Sequence, residues 1–140
     1  MSEQVEIVLV DDSQADVKLA LYALQYDNLP YKLKVLRDGE EALNFLPSCA
    51  VPGLRLILLD LKLPKINGLE VLKAVKADPV VKDVPVVILT SSGQESDIRA
   101  SYQLGANSYI QKPVDFDAFC AALQQVRNYW LGLNRAPGIN

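Results

Sequence analysis

Leu56-Ile57-Leu58-Leu59-Asp60-Leu61-Lys62-Leu63-Pro64 is an apolar run that ends in a single carboxylate and is closed by a proline. A run of this kind fits a buried strand or a buried helical segment, and its shortness between Gly53 and Pro64 favours a strand. Asp60 then lies at the strand's carboxyl end. An aspartate there has an ordinary use, because its side chain hydrogen-bonds nearby backbone in turns. What stands at the ends of the other strands therefore decides what Asp60 is for.

Working outward, Glu6-Ile7-Val8-Leu9-Val10 is another continuous apolar run, as expected of a parallel strand covered on both faces, and it ends in Asp11-Asp12. Ser13 is a candidate helix N-cap with Asp16 three residues on, and Val17, Ala20, Leu21 and Leu24 recur at helical spacing. That helix is expected to end near 28–30. Lys32 to Leu36 alternates polar and apolar, which suits an edge strand; Asp38-Gly39 turns into a short helix over 40–46, and 47–53 is a loop of breakers.

Beyond the opening strand, expected over 54–60, Asn67-Gly68 starts a helix that Asp78-Pro79 ends. Val84 to Leu89 is a further buried strand, running into Thr90-Ser91-Ser92-Gly93. A polar helix spans about 95–104, with Gly105 as its C-terminal cap. Asn107 to Gln111 is the last strand, followed by Lys112-Pro113. The last helix, 115–131, places Phe116, Phe119, Cys120, Leu123, Val126 and Trp130 on one stripe, and 132–140 forms a tail.

Strand and helix thus alternate five times, the pattern of an α/β fold with a parallel sheet covered by helices on both faces. The 140 residues are 50% apolar and 22% charged, enough for one domain with a sizeable core. A net charge of -3 without clustered Lys and Arg argues against nucleic acid as a partner. The acidic start and the absence of a long apolar stretch are expected of a cytoplasmic protein without a membrane span. Cys49 and Cys120 are expected as free thiols. Histidine is absent, so the commonest general base is missing and the chain cannot itself carry phosphohistidine.

Open parallel sheets bind ligands at the carboxyl ends of their strands. There this sequence places Asp11 and Asp12, Asp60, Thr90, and Lys112. Singly, Asp12 reads as part of a helix start, Thr90 as a turn hydroxyl and Lys112 as a solvated lysine. Together they exceed what capping requires. Two carboxylates about 4 Å apart repel by roughly 4 kcal/mol at an effective dielectric of 20, so three need a counter-charge. Mg²⁺ suits hard oxygen ligands and keeps waters that leave room for phosphate. With the metal and Lys112 neutralising charge, Asp60 is a candidate nucleophile toward a phosphoryl group.

Val8-Leu9-Val10-Asp11-Asp12-Ser13, Leu58-Leu59-Asp60-Leu61-Lys62-Leu63-Pro64 with Gly68, Val87-Ile88-Leu89-Thr90-Ser91, and Ser108-Tyr109-Ile110-Gln111-Lys112-Pro113 together resemble the receiver domain of two-component response regulators. The resemblance covers about residues 5 to 128. It implies a flavodoxin-like (βα)5 fold with strand order 2-1-3-4-5, a receiver over 5–131, a tail over 132–140 and no effector domain. It further implies Asp60 as phosphoacceptor, and Mg²⁺, for which Mn²⁺ substitutes, on Asp11, Asp12, Asp60 and the Lys62 backbone carbonyl. Thr90 and Tyr109 look like the switch pair and Lys112 like the phosphate-contacting lysine, with a cis bond to Pro113.

Arg37-Asp38-Gly39, Asp78-Pro79, the run from Val84 to Ser92, and Tyr129-Trp130-Leu131 are similar, more narrowly, to single-domain regulators paired with bacterial phytochrome histidine kinases. The expected partners are such a sensor kinase, a downstream protein or phosphotransfer partner, and a second copy of the chain. The signalling face expected for them comprises the helix from Glu95, the Tyr109 strand and the last helix, with Tyr129 and Trp130 at its end.

Two alternatives use the same residues. A phosphohydrolase of the haloacid dehalogenase type also places a nucleophilic Asp at a strand end, but needs a second Asp two positions on, where this chain has Lys62. A phosphorylation-independent interaction module would lack the acidic pair, the acceptor or the lysine, and none is missing.

Overall fold

The computed structural model describes residues 5–25, 31–47 and 53–136. Its elements are β1 (Ile7–Val10), α1 (Gln14–Leu24), β2 (Leu33–Leu36), α2 (Gly39–Phe45), β3 (Leu56–Leu59), α3 (Gly68–Ala77), β4 (Val86–Thr90), α4 (Glu95–Gln103), β5 (Ser108–Gln111) and α5 (Phe116–Asn128). The strands form one parallel sheet in the order β2-β1-β3-β4-β5. The order expected from the resemblance is therefore the order observed, and the chain reverses direction across the sheet between β1 and β3.

Successive side chains of a strand point to opposite faces, which divides the core in two. Val8, Val10, Ile57, Leu59, Val86 and Ile88 pack with Ala42, Leu46, Val71, Leu72 and Val75 of the α2/α3 layer. Ile7, Leu9, Leu56, Leu58, Val87 and Leu89 pack with Val17, Ala20, Phe119, Leu123 and Val126 of the α1/α5 layer. Because both faces are covered, β1, β3 and β4 are buried at every position, which is why their sequences are unbroken apolar runs. β2 and β5, at the two edges, are only partly buried.

The helix starts follow from their caps. The side chains of Ser13, Asp38, Asn67 and Asp115 accept backbone N–H groups of α1, α2, α3 and α5, while α4 has no side-chain cap. Among the residues of α4 only Ser101 is buried, so its weak apolar face is as expected. Gly105 follows it at φ 104°, a conformation that a side chain opposes.

Several details differ from expectation. The last helix does not run as α-helix to Leu131: at Tyr129–Leu133 it widens into a π-helical turn, with Asn134 N–H donating to the Tyr129 carbonyl at 2.6 Å. Gly132, a poor α-helix former, lies in this turn, and Arg55 Nη2 donates to the Leu131 carbonyl at 2.6 Å, supplying a partner for a helix-end oxygen. Phe116 is half exposed and leans on Tyr22 instead of joining the buried stripe. Trp130 packs against the α1/α5 core with Tyr129 edge-on to it. No cis peptide bond occurs among the described residues, so the bond to Pro113 takes the trans form usual even for proline. α1 ends at Leu24 with Gln25 as its C-cap, earlier than the expected 28–30. Cys120 is a buried free thiol; Cys49 and most of the loop 47–53 lie outside the described residues.

Candidate functional site

β1 and β3 are register-matched, Val10 opposite Leu59, so the residues that follow them emerge side by side. The ladder extends one step further, with Asp60 N–H donating to the Val10 carbonyl at 3.0 Å. Asp11 and Asp60 are buried and Asp12 is exposed. One carboxylate oxygen from each lies within 4.8 Å of those of the other two. This is a set of hard oxygen donors of the kind that holds a small divalent cation.

Lys112 arrives from the end of β5, its N–H donating to the Thr90 carbonyl at 2.7 Å. Its ammonium, only 8% exposed, donates to Asp11 Oδ2 at 2.8 Å, Asp16 Oδ2 at 2.8 Å and Asp60 Oδ2 at 3.0 Å. All three ammonium hydrogens are thereby used. Burial disfavours the Lys112 charge, but hydrogen bonds to Asp11 and Asp16 and the charges of Asp60 and Asp11 outweigh it and hold its pKa well above the ordinary lysine value. For Asp11 burial wins: its pKa is raised, although Lys112 and the Ser13 N–H pull it down.

Asp16 is the site residue that the strand-end rule does not reach. Read as a helix-cap partner, its carboxylate would return to the Ser13 N–H. Instead that N–H donates to Asp11 Oδ1 at 2.9 Å, and only the other half of the cap forms, from Asp16 N–H to Ser13 Oγ at 3.3 Å. The carboxylate is thus released toward Lys112. The available signal was an acidic residue in the first turn of α1, the turn that follows directly on Asp11-Asp12.

The loop from β3 to α3 is tightly folded against Asp60. Lys62 meets the site through its N–H, which donates to Asp60 Oδ1 at 3.3 Å, while its side chain is exposed. Gly68 N–H donates to the Leu61 carbonyl at 2.8 Å. A Cβ on Gly68 would lie 2.2 Å from the Asp60 carbonyl oxygen and 2.6 Å from Leu61 Cα, so only glycine lets α3 begin so close to this backbone. Lys65 turns the loop at φ 69°, with Ile66 N–H donating to the Pro64 carbonyl at 2.8 Å, and is paired with Glu40 at 3.3 Å and Asp38 at 3.6 Å.

On the other flank, Thr90 is fully buried and Ser92 is the node that joins it to Tyr109. Ser92 N–H donates to Thr90 Oγ1 at 3.5 Å, its hydroxyl donates to Asp97 Oδ2 at 2.5 Å, and its carbonyl accepts the Tyr109 hydroxyl at 2.9 Å. Burial raises the Tyr109 pKa, with the charges of Asp97 and Asp60 adding to it against the Ser92 hydrogen bond. The structure therefore brings Asp11, Asp12, Asp60 and Lys112 into one cluster and links Thr90, the last residue of β4, to Tyr109 of β5 through Ser92 beside it.

Residues 7–124 match the response regulator receiver domain family. The chain belongs to that family. This receiver is 38% identical over 135 residues to the probable methanogenesis regulatory protein FilR2 of Methanothrix harundinacea, covering 94% of this chain and 87% of that protein. It is 40% identical over 129 residues to response regulator Rcp1 of Synechocystis sp., with 89% and 88% covered. Among solved structures, the phosphorylated cyanobacterial phytochrome response regulator RcpA superposes at a TM-score of 0.89 with 37% identity, covering 97% of this chain and 100% of that one. The Mn²⁺-bound form of Rcp1 superposes at 0.87 with 38% identity, covering 96% and 99%. Receivers as a class are signalling domains, which favours that reading over the phosphohydrolase alternative. No helix among the described residues is long and apolar enough to cross a membrane.

Proposed function

We propose that this receiver accepts a phosphoryl group on Asp60 from a sensor histidine kinase and transmits the change through protein contacts. The observation that carries the reading is the buried Asp60 carboxylate held against the Lys112 ammonium and the Asp11 and Asp12 carboxylates. A carboxylate oxygen of Asp60 attacks phosphorus, the bond from phosphorus to the donor's imidazole nitrogen breaks, and that nitrogen keeps the electron pair. The imidazole must be the partner's, since this chain has no histidine. Hydrolysis of the acyl phosphate later returns Asp60 to the carboxylate, so the chain undergoes modification and release without turning over an outside substrate.

Lys112 is placed to neutralise the transferred oxygens, as phosphoryl transfer requires. Asp11, Asp12, Asp60 and the Lys62 carbonyl would hold Mg²⁺, or Mn²⁺ in its place, which supplies positive charge to the phosphoryl oxygens when bound. Thr90 Oγ1 and the Tyr109 hydroxyl, joined through Ser92, form the path by which the site reaches β5 and α4. A phytochrome kinase is the upstream partner that likeness to the phytochrome response regulator RcpA supports, and a second copy, a downstream protein or a phosphotransfer partner receives the output. Incubation with a cognate phytochrome kinase and labelled ATP is expected to label the wild type and not Asp60→Asn. Label retained by the variant would refute the assignment of Asp60.

A further inference from the structure

Three carboxylates share the Lys112 ammonium, but they are not equivalent. Asp11 and Asp60 also belong to the acidic cluster whose oxygens converge within 4.8 Å, and Asp16 does not. A cation entering that cluster binds two carboxylates that Lys112 already uses. Lysine and cation thus compete for Asp11 and Asp60, and their like charges oppose each other across a buried site. Asp16 is the one of Lys112's three carboxylate partners that lies outside that cluster.

From this geometry we infer that Asp16 is a positioning residue, a tether that draws Lys112 off Asp11 and Asp60 and so lets the site take a divalent cation while the lysine stays at its rim. The inference rests on the metal-binding reading given above. Asp16 suits the part by its place as well as its charge. It sits in the first turn of α1, fixed through its own N–H to Ser13 Oγ, and its side chain is 32% exposed where Asp11 and Asp60 are 2% and 8% exposed. Its carboxylate therefore retains solvation and can hold a cationic partner without entering the buried cluster. It also has no competing side-chain duty at the helix start, since Asp11 has taken the Ser13 N–H.

The test is calorimetric titration with MgCl₂ in the absence of any phosphoryl donor, on the wild type, Asp16→Asn, Asp16→Glu, Lys112→Met and the double variant Asp16→Asn/Lys112→Met, with thermal melts to establish folding. Asp16→Asn keeps the shape and the backbone N–H but loses the charge. A partly exposed ion pair is worth up to about 1 kcal/mol, so its Kd for Mg²⁺ is expected to rise about fivefold. Asp16→Glu is expected to recover most of the affinity. With Lys112 replaced by methionine there is nothing to tether, and the same Asp16 change is expected to leave the Kd unaltered. Equal affinities of wild type and Asp16→Asn would overturn the inference, as would a loss that persists undiminished without Lys112, the mark of direct attraction between Asp16 and the cation. If the wild type binds no Mg²⁺ at all, the metal-binding reading fails and this inference with it.

Discussion

Replacing Lys112 with methionine removes the ammonium from the centre of the site while keeping most of the apolar stem. Asp11 and Asp60 are then left 2% and 8% exposed with their nearest oxygens no more than 4.8 Å apart and no cation between them. At that separation two unit charges repel by about 3.5 kcal/mol at an effective dielectric of 20, in keeping with the 3–5 kcal/mol typical of breaking a buried ion pair by removing one partner. Asp16, more exposed, adds little. The variant is expected to lose about 3 kcal/mol of unfolding free energy at pH 7 in the presence of EDTA, measured by urea denaturation.

The pH dependence fixes the cause. Burial already raises the Asp11 pKa above 3.8 with Lys112 present, and losing the lysine raises it further. A carboxyl with a raised folded-state pKa stabilises the fold while protonated and loses that contribution as pH rises through the folded value. The gap between wild type and variant is therefore expected to open as pH climbs above 3.8 and to widen as pH rises through the folded-state value. The wild-type Lys112 ammonium, by contrast, keeps its charge throughout this range and loses it only well above pH 10.5. Mg²⁺ is expected to narrow the gap by binding the folded variant. Equal stability of the two proteins at pH 7 in EDTA, or a gap independent of pH, would refute this electrostatic account.

Gly68→Ala would push a Cβ to 2.2 Å from the Asp60 carbonyl oxygen, which is backbone and cannot rotate away; the substitution is expected to cost about 2–3 kcal/mol in urea denaturation and to weaken Mg²⁺ binding with it, and an unchanged midpoint would contradict the close approach. For Tyr109, ultraviolet titration of wild type minus Tyr109→Phe is expected to show one tyrosinate forming with a midpoint above 10.0, because burial opposes the charge; a midpoint at or below that value would count against the partial burial of this side chain.

How far the sequence could be read depends on what each residue answers to. β1, β3 and β4 are legible because strands covered on both faces must be apolar throughout, and the site is legible because Asp11, Asp60, Thr90 and Lys112 stand directly at strand ends, where parallel register brings them to one edge. Residues whose placement depends on side-chain direction are not. Asp16 reads equally well as a cap partner until Ser13 N–H is seen to choose Asp11. Phe116 satisfies helical periodicity yet faces outward, because the stripe begins a turn before the helix reaches the core. The π-helical turn at Tyr129–Leu133 includes a carbonyl oxygen bonded by Arg55, far away in sequence, a contact that no local pattern announces. Trp130 illustrates the remaining ambiguity: its ring packs on the core beside a half-exposed Tyr129, so periodicity alone had two answers.

The central claim is that Asp60 takes the phosphoryl group, and the most direct measurement is mass spectrometry of the intact chain and of its peptides after incubation with acetyl phosphate and Mg²⁺. The wild type is expected to gain the mass of one phosphoryl group, located at Asp60 and lost again by hydrolysis over time once acetyl phosphate is removed, while Asp60→Asn gains none. A phosphoryl group found on any other residue of the wild type, or the same gain in Asp60→Asn, would contradict the account.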